Sequence, residues 1–329
     1  MSIKKRVTHP YKYWLLKGCF GGSKRSKRSK RDVVKIGNSI GIHNDELHYE
    51  ISNAFKEVLN NPRLAFNMRK VTDITINGGL MLKAFFQEFQ QRHGKKPYIK
   101  GPTDKKMKAV LKHLEIKNYS DVNVENYPDI KCWQIYSWDD SYEVEFSKLL
   151  DTEIIPACWK GSHTISEQSS SIATSVAETI LNCKEHAYTG AKKNSKFRNF
   201  YLGVGEYPDD KHRFSFCIYD KGIGIKARLQ SNPKEWYDDF IDNTIRTDSQ
   251  MIEMATKGKR VTTEDGRGEG LKNAIELLGN NNGWMDIYSD KGYYSSYDNS
   301  SGKDRDSELE GTMVSFSFSL KYNDSEVKV

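Results

Sequence analysis

Between Ser166 and Tyr219 the chain switches hydrophobic period, and that switch limits its fold more than any other feature. Ile172, Val176, Ile180, Cys183 and Ala187 recur at helical spacing behind Ser166 and Ser169, which suit a helix start. Residues 199–204 and 213–219 then alternate like strands on either side of the turn residues Pro208, Asp209 and Asp210. A helix over 270–278 and strands over 284–289, 292–296 and 312–320 continue the pattern. Helical stripes and strand faces leave water by covering one another, so the fold class expected is α/β, or α+β.

Upstream, residues 46–59 place Leu47, Ile51, Ala54, Phe55 and Val58 on one side of a helix, capped by Asn44-Asp45. Residues 71–77 alternate like a strand, Gly78-Gly79 reads as a turn, and 80–89 and 104–114 read as helices. From 133 to 150 no period is clear, and the segment reads as a connection. With 329 residues, two units are expected behind a basic segment 1–32: an α/β unit 33–150 and a second unit 151–329.

Charge is unevenly placed. Residues 1–31 hold eleven Lys or Arg and no acid, which leaves 40 basic against 44 acidic residues in the rest of the chain. Lys24, Arg25, Lys27, Arg28, Lys30 and Arg31 follow Gly21-Gly22, and such an arm suits either nucleic-acid phosphates or simple solvation. The five cysteines lie at least 25 residues apart, a spacing that fits neither a disulfide framework nor a zinc site. No apolar run is long enough to span a bilayer, and a cytoplasmic location is expected.

Four segments carry residues suited to chemistry. In Glu178-Thr-Ile-Leu-Asn182-Cys-Lys-Glu-His186-Ala-Tyr188, the i, i+4, i+8 spacing puts Glu178, Asn182 and His186 near one helix face. A carboxylate there can position water, and an amide oxygen can serve a hard cation. Asp220-Lys-Gly222-Ile-Gly224-Ile follows a strand; its glycines let backbone approach a ligand, and Asp220 accepts hydrogen bonds. Gly266-Arg267-Gly268-Glu269-Gly270-Leu271 leads into a helix, where successive N–H groups favour phosphate, with Lys257 and Lys259 nearby. Gly311-Thr312 precedes the last strand. Between the second and third segments, residues 226–265 read as a long polar loop containing Trp236, Tyr237, Asp238 and Asp239.

These segments, in this order, resemble the ATP-binding boxes of the GHKL superfamily (DNA gyrase, heat-shock chaperones, histidine kinases and mismatch-repair ATPases). The resemblance covers residues 165–320 and implies a Bergerat-type two-layer α/β sandwich with a mixed sheet. It implies ATP and Mg²⁺ as ligands, Asn182 as the metal ligand, Glu178 as the base for water, and Asp220 as the reader of adenine. Gly222, Gly224, Lys257, Lys259, Gly266, Arg267, Gly268, Gly270, Leu271 and Thr312 would complete the ATP site, and 226–265 would be its lid. Glu269, an acid in the phosphate box, departs from the pattern. Residues 70–118 resemble STAS-like domains.

The resemblance points to an ATPase that controls a protein partner through lid closure or a nucleotide-dependent homodimer. It is also compatible with a serine kinase of the anti-sigma-factor type acting on a STAS-like partner, or with a non-hydrolysing ATP sensor in stress or phage defence.

Overall fold

The computed structural model describes residues 33–42, 45–127, 130, 133–139, 166–193, 195, 198–207, 210–231, 246–257, 270–280, 283–297 and 302–319. Its N-terminal part contains β1 (Val33–Lys35), β2 (Ser39–Ile40), α1 (Asp45–Asn60), β3 (Ala65–Asn67), β4 (Asp73–Ile74), α2 (Ile76–His93), β5 (Tyr98–Lys100) and α3 (Lys105–His113). Strands β1, β3 and β5 form a parallel sheet in that order, and β2 pairs with β4.

The expected strand over 71–77 is shorter, and Gly78-Gly79 is no turn. Thr75 caps α2, its Oγ1 accepting from Gly78 N–H at 3.3 Å, so both glycines lie inside the helix. A Cβ on Gly78 would stand 2.1 Å from the Ile40 carbonyl oxygen, so glycine here serves a close approach to β2.

The second part contains β6 (Gln134–Asp139), α4 (Ser166–Asn182) running into a π-helical turn (Cys183–Ala187), β7 (Asn199–Tyr207) and β8 (Asp210–Asp220). It continues with α5 (Ile225–Ser231), α6 (Asp248–Thr256), α7 (Gly270–Asn280), β9 (Gly283–Ser295) and β10 (Lys303–Ser319). The sheet order is β6-β7-β8-β10-β9, so the segment expected to be a connection supplies an edge strand. All four pairings are antiparallel, where a mixed sheet was expected. Strand β9 runs in the same direction as β8, but β10 lies between them and pairs antiparallel with both.

The two-residue period decides which side chains meet which layer. On one face lie Phe200, Leu202, Val204, Phe216, Ile218, Ile287, Val314 and Phe316, in one core with Val176 and Ile180 of α4 and Ala274 and Leu278 of α7. On the other lie Tyr201, Cys217, Tyr219, Tyr288 and Met313, continuous with the core of α1 and α2. Gly203 and Gly205 on β7 leave room for α2: a Cβ at either would come within 3.0–3.1 Å of Ile76. The sheet is therefore covered on both faces, with α4 and α7 on one side and α1 and α2 on the other. Among the described residues no helix is long and apolar enough to cross a membrane.

Part of the expected loop 226–265 is helical. Residue 226 falls within α5, and α6 begins at a capping box in which Thr247 and Gln250 satisfy each other's backbone N–H groups. Met251, Ile252 and Met254 bury its inner side. Trp236, Tyr237, Asp238 and Asp239 lie outside the described residues.

Candidate functional site

At one end of the α4 and α7 face the apolar rows of the sheet give way to polar ones. Asp220, Thr312 and Ser289 stand side by side on β8, β10 and β9, in register with one another and in line with Ile218, Val314 and Ile287. The strand period that buries Phe216 and Ile218 thus carries the Asp220 carboxylate to the end of an apolar wall.

A cleft opens there, lined by Thr179, Asn182, Cys183 and His186 of α4 and its π turn, and by Asp220 and Thr312 of the sheet. Gly224, Ile225, Arg228 and Leu229 line it from α5, and Gly270 and Leu271 from the start of α7. Its cavity volume is about 130 Å³, against the roughly 10–15 Å³ that one water needs, so the cleft has room for a ring-sized organic group and opens to solvent beyond it.

Asp220 is buried at the floor of this cleft, 2% exposed. One carboxylate oxygen accepts from Gly222 N–H at 2.7 Å, and the other accepts from the Cys183 thiol at 3.4 Å. Burial pushes the Asp220 carboxyl up to about 6, against the pull of the Gly222 N–H. Burial and the neighbouring Asp220 charge also hold the Cys183 thiol well above its usual range, so it stays a neutral donor.

Local backbone geometry fixes the loop after Asp220. A Cβ on Gly222 would lie 2.3 Å from the Ala187 carbonyl oxygen, the acceptor of Ile223 N–H at 2.8 Å. Only glycine lets the loop close against the π turn. Gly224 (φ +80°) and Gly311 (φ +90°) occupy the left-handed region beside it. Ser289 Oγ accepts from Ile225 N–H at 2.8 Å and lies 3.3 Å from Thr312 Oγ1, bracing the second and fourth segments.

The first and third segments meet where α4 passes the start of α7. A Cβ on Gly270 would come within 2.9 Å of a Glu178 carboxylate oxygen and 3.3 Å of the Asn182 amide. Glu178 is half-buried behind this point and does not itself line the cleft. Lys257 lies apart, exposed and paired with Glu253 at 2.6 Å. Lys259, Gly266, Arg267, Gly268, and the basic residues Lys24, Arg25, Lys27, Arg28, Lys30 and Arg31 lie outside the described residues.

Behind the loop, on the opposite face of the sheet, Lys221 points away from the cleft. Its side chain is 9% exposed, and its ammonium pairs with Glu88 of α2 and, at 2.8 Å, with Glu310 of β10. Arg92 completes Glu88, and Lys192 completes Glu310 at 2.7 Å. Burial would raise the Glu310 carboxyl, but Lys221 and Lys192 outweigh it and hold it down at about 2.

In the sequence Cys183 reads only as an apolar helix position, and Ser289, Lys221 and Arg228 take no role in a site. Cys183 directly follows Asn182, and Arg228 lies one helical turn beyond Gly224, so adjacency to the recognised segments was the available signal. No group of three or more His, Cys, Asp or Glu side chains suited to a metal occurs among the described residues. No family model matches this chain, and no curated protein matches it.

Proposed function

We propose that this chain binds Mg·ATP in the cleft and hydrolyses it as an ATPase of the GHKL type, using nucleotide-dependent lid closure or dimerisation to control a protein partner. The observation that carries this reading is the convergence on one cleft of four segments that run from Thr179 to Thr312 in sequence. The floor is a buried carboxylate, the walls are apolar, and the far side is the start of an α-helix.

Each part suits one part of the nucleotide. Asp220, ionised above about pH 6, accepts from the exocyclic amine of adenine, and the Thr312 hydroxyl supports the same edge. Ile225, Leu229, Leu271 and Val314 cover the flat faces of the base. The triphosphate lies toward the N–H groups at the start of α7. Asn182 would hold Mg²⁺ through its amide oxygen, a fit for an ion that takes few protein ligands and keeps water and phosphate as the rest. When bound, the ion neutralises phosphate charge. Glu178, which stands beside Gly270 just outside the cleft lining, would serve as the base for the attacking water.

Thermal unfolding with and without Mg·ATP tests the binding. A ligand bound only by the native state at a hundredfold excess over Kd stabilises it by about 2.7 kcal/mol. Asn182→Ala should weaken Mg·ATP binding, whereas Glu178→Ala should keep it and lose phosphate release by about 10²–10⁴-fold. A wild-type chain whose melting does not respond to millimolar Mg·ATP would reject the reading. Unchanged phosphate release in Glu178→Ala would remove the base and leave a binding module.

A further inference from the structure

Among the described residues, the side chains that line the cleft include one carboxylate, Asp220, and one permanent cation, Arg228. Four cations of the described residues on neighbouring elements are paired. Lys226, two residues earlier on α5, donates to Asp248 at 2.6 Å, Lys221 and Lys192 serve Glu88 and Glu310, and Lys257 serves Glu253. Arg228 is half-buried, and among the described residues its guanidinium has no hydrogen bond or ion pair. A guanidinium carries five donors, and withdrawing them partly from water without an acceptor is unfavourable.

The backbone fixes where this side chain begins. Arg228 N–H donates to Gly224 O at 3.2 Å, Ile225 N–H is pinned to Ser289, and the adjacent Leu229 is 4% exposed and packed on Met251 and Met254. The short helix α5 thus anchors the root of Arg228 on the cleft that Asp220 and the start of α7 also line.

We propose that Arg228 reads the anionic end of the ligand, so that the cleft selects a phosphorylated adenine compound over the bare nucleoside. This rests on the nucleotide reading above and adds to it the residue that sets the preference for phosphate. A planar guanidinium donates two parallel hydrogen bonds to phosphate oxygens, which the hydroxyl of a nucleoside cannot accept in the same way.

Calorimetric titration of the full chain with Mg·ATP and with adenosine tests this. Arg228→Ala should weaken ATP by about 10–100-fold, the range for one charge-assisted contact, and leave adenosine within about twofold. Lys226→Ala removes the same charge from the same helix and should leave ATP within about twofold. Arg228→Gln, close in shape, replaces the alanine variant if that one does not fold, and should show the same selective loss. Unchanged ATP affinity in the Arg228 variants, a parallel fall for ATP and adenosine, or an equal loss in Lys226→Ala would each overturn the proposal. A wild-type chain that binds neither compound would instead defeat the nucleotide reading, and this proposal with it.

Discussion

On the face of the sheet that meets α1 and α2, every buried charge described above has a partner of opposite sign. Lys221 lies between Glu88 and Glu310, and Arg305 of β10 pairs with Asp45 of α1 while donating to the Ile42 carbonyl at 2.7 Å. His48 joins the second cluster through Ser307 at 2.7 Å, and burial with Arg305 nearby drives it down to about 3, so it stays neutral. On the α4 and α7 face, Asp220 is just as buried, yet among the described residues it has hydrogen bonds and no contacting cation. One face uses charge to fasten an element of the same chain, although Arg305 Nη1 is buried there without a hydrogen-bond partner among the described residues. On the other, among the described residues, neither the Asp220 carboxylate nor the Arg228 guanidinium has an ion pair, a condition in which a ligand has something to satisfy.

The largest effect should come from opening the fastened face. Lys221→Met removes a buried ammonium and leaves Glu88 and Glu310 with only their outer partners, Arg92 and Lys192. Breaking a buried pair in this way costs about 3–5 kcal/mol, which urea unfolding would register as a lower midpoint. A loss below about 1 kcal/mol would mean that the Lys221 network does not hold α2 to the sheet.

A smaller effect, of opposite sign, belongs to the open face. The folded carboxyl of Asp220 titrates near 6 and its unfolded counterpart near 3.8, so between these values the native state binds more protons. Its ionisation therefore lowers stability as pH rises through about 4–6, by roughly 1.4 kcal/mol per pKa unit. Asp220→Asn keeps an acceptor for Gly222 N–H and removes that charge. Without ligand it should be more stable than wild type at pH 7–8 by on the order of 1–3 kcal/mol, and lose this advantage near pH 4. Its stabilisation by Mg·ATP should largely disappear. Paired melts at the two pH values decide this, and a destabilised variant at pH 8 would place Asp220 with the fastened charges.

Much of the open face could be read from sequence because its determinants are local. The alternation through Phe216, Ile218 and Asp220, the glycines that follow, and the Glu178 to Asn182 spacing lie within single elements. The fastened face was missed because its determinants are distant. In β10, Arg305, Ser307 and Leu309 point inward and Asp304, Asp306 and Glu308 outward, a clean strand alternation. Two of the three inward residues are polar, so hydrophobic periodicity could not register a strand before 312. Their partners Asp45 and His48 lie some 260 residues earlier. Gly78 was read as a turn for the same reason, since the carbonyl that forbids a Cβ there belongs to Ile40.

The smallest predicted effect tests whether burial sets the contrast between the faces. Lys192 shares Glu310 with Lys221 at nearly the same distance, 2.7 against 2.8 Å, but its side chain is 33% exposed where that of Lys221 is 9%. Water already solvates much of the Lys192 charge, so the pair it forms should contribute no more than an exposed one, about 0.2–1 kcal/mol, and less in added salt. Lys192→Met should therefore shift the urea midpoint only slightly, with the shift shrinking as sodium chloride rises. The cost of Lys221→Met should hold across the same salt range, because a buried pair is poorly screened. If Lys192→Met costs as much as Lys221→Met, the Glu88, Lys221, Glu310 and Lys192 charges act as one cooperative unit, and the contrast rests on network completeness rather than on burial.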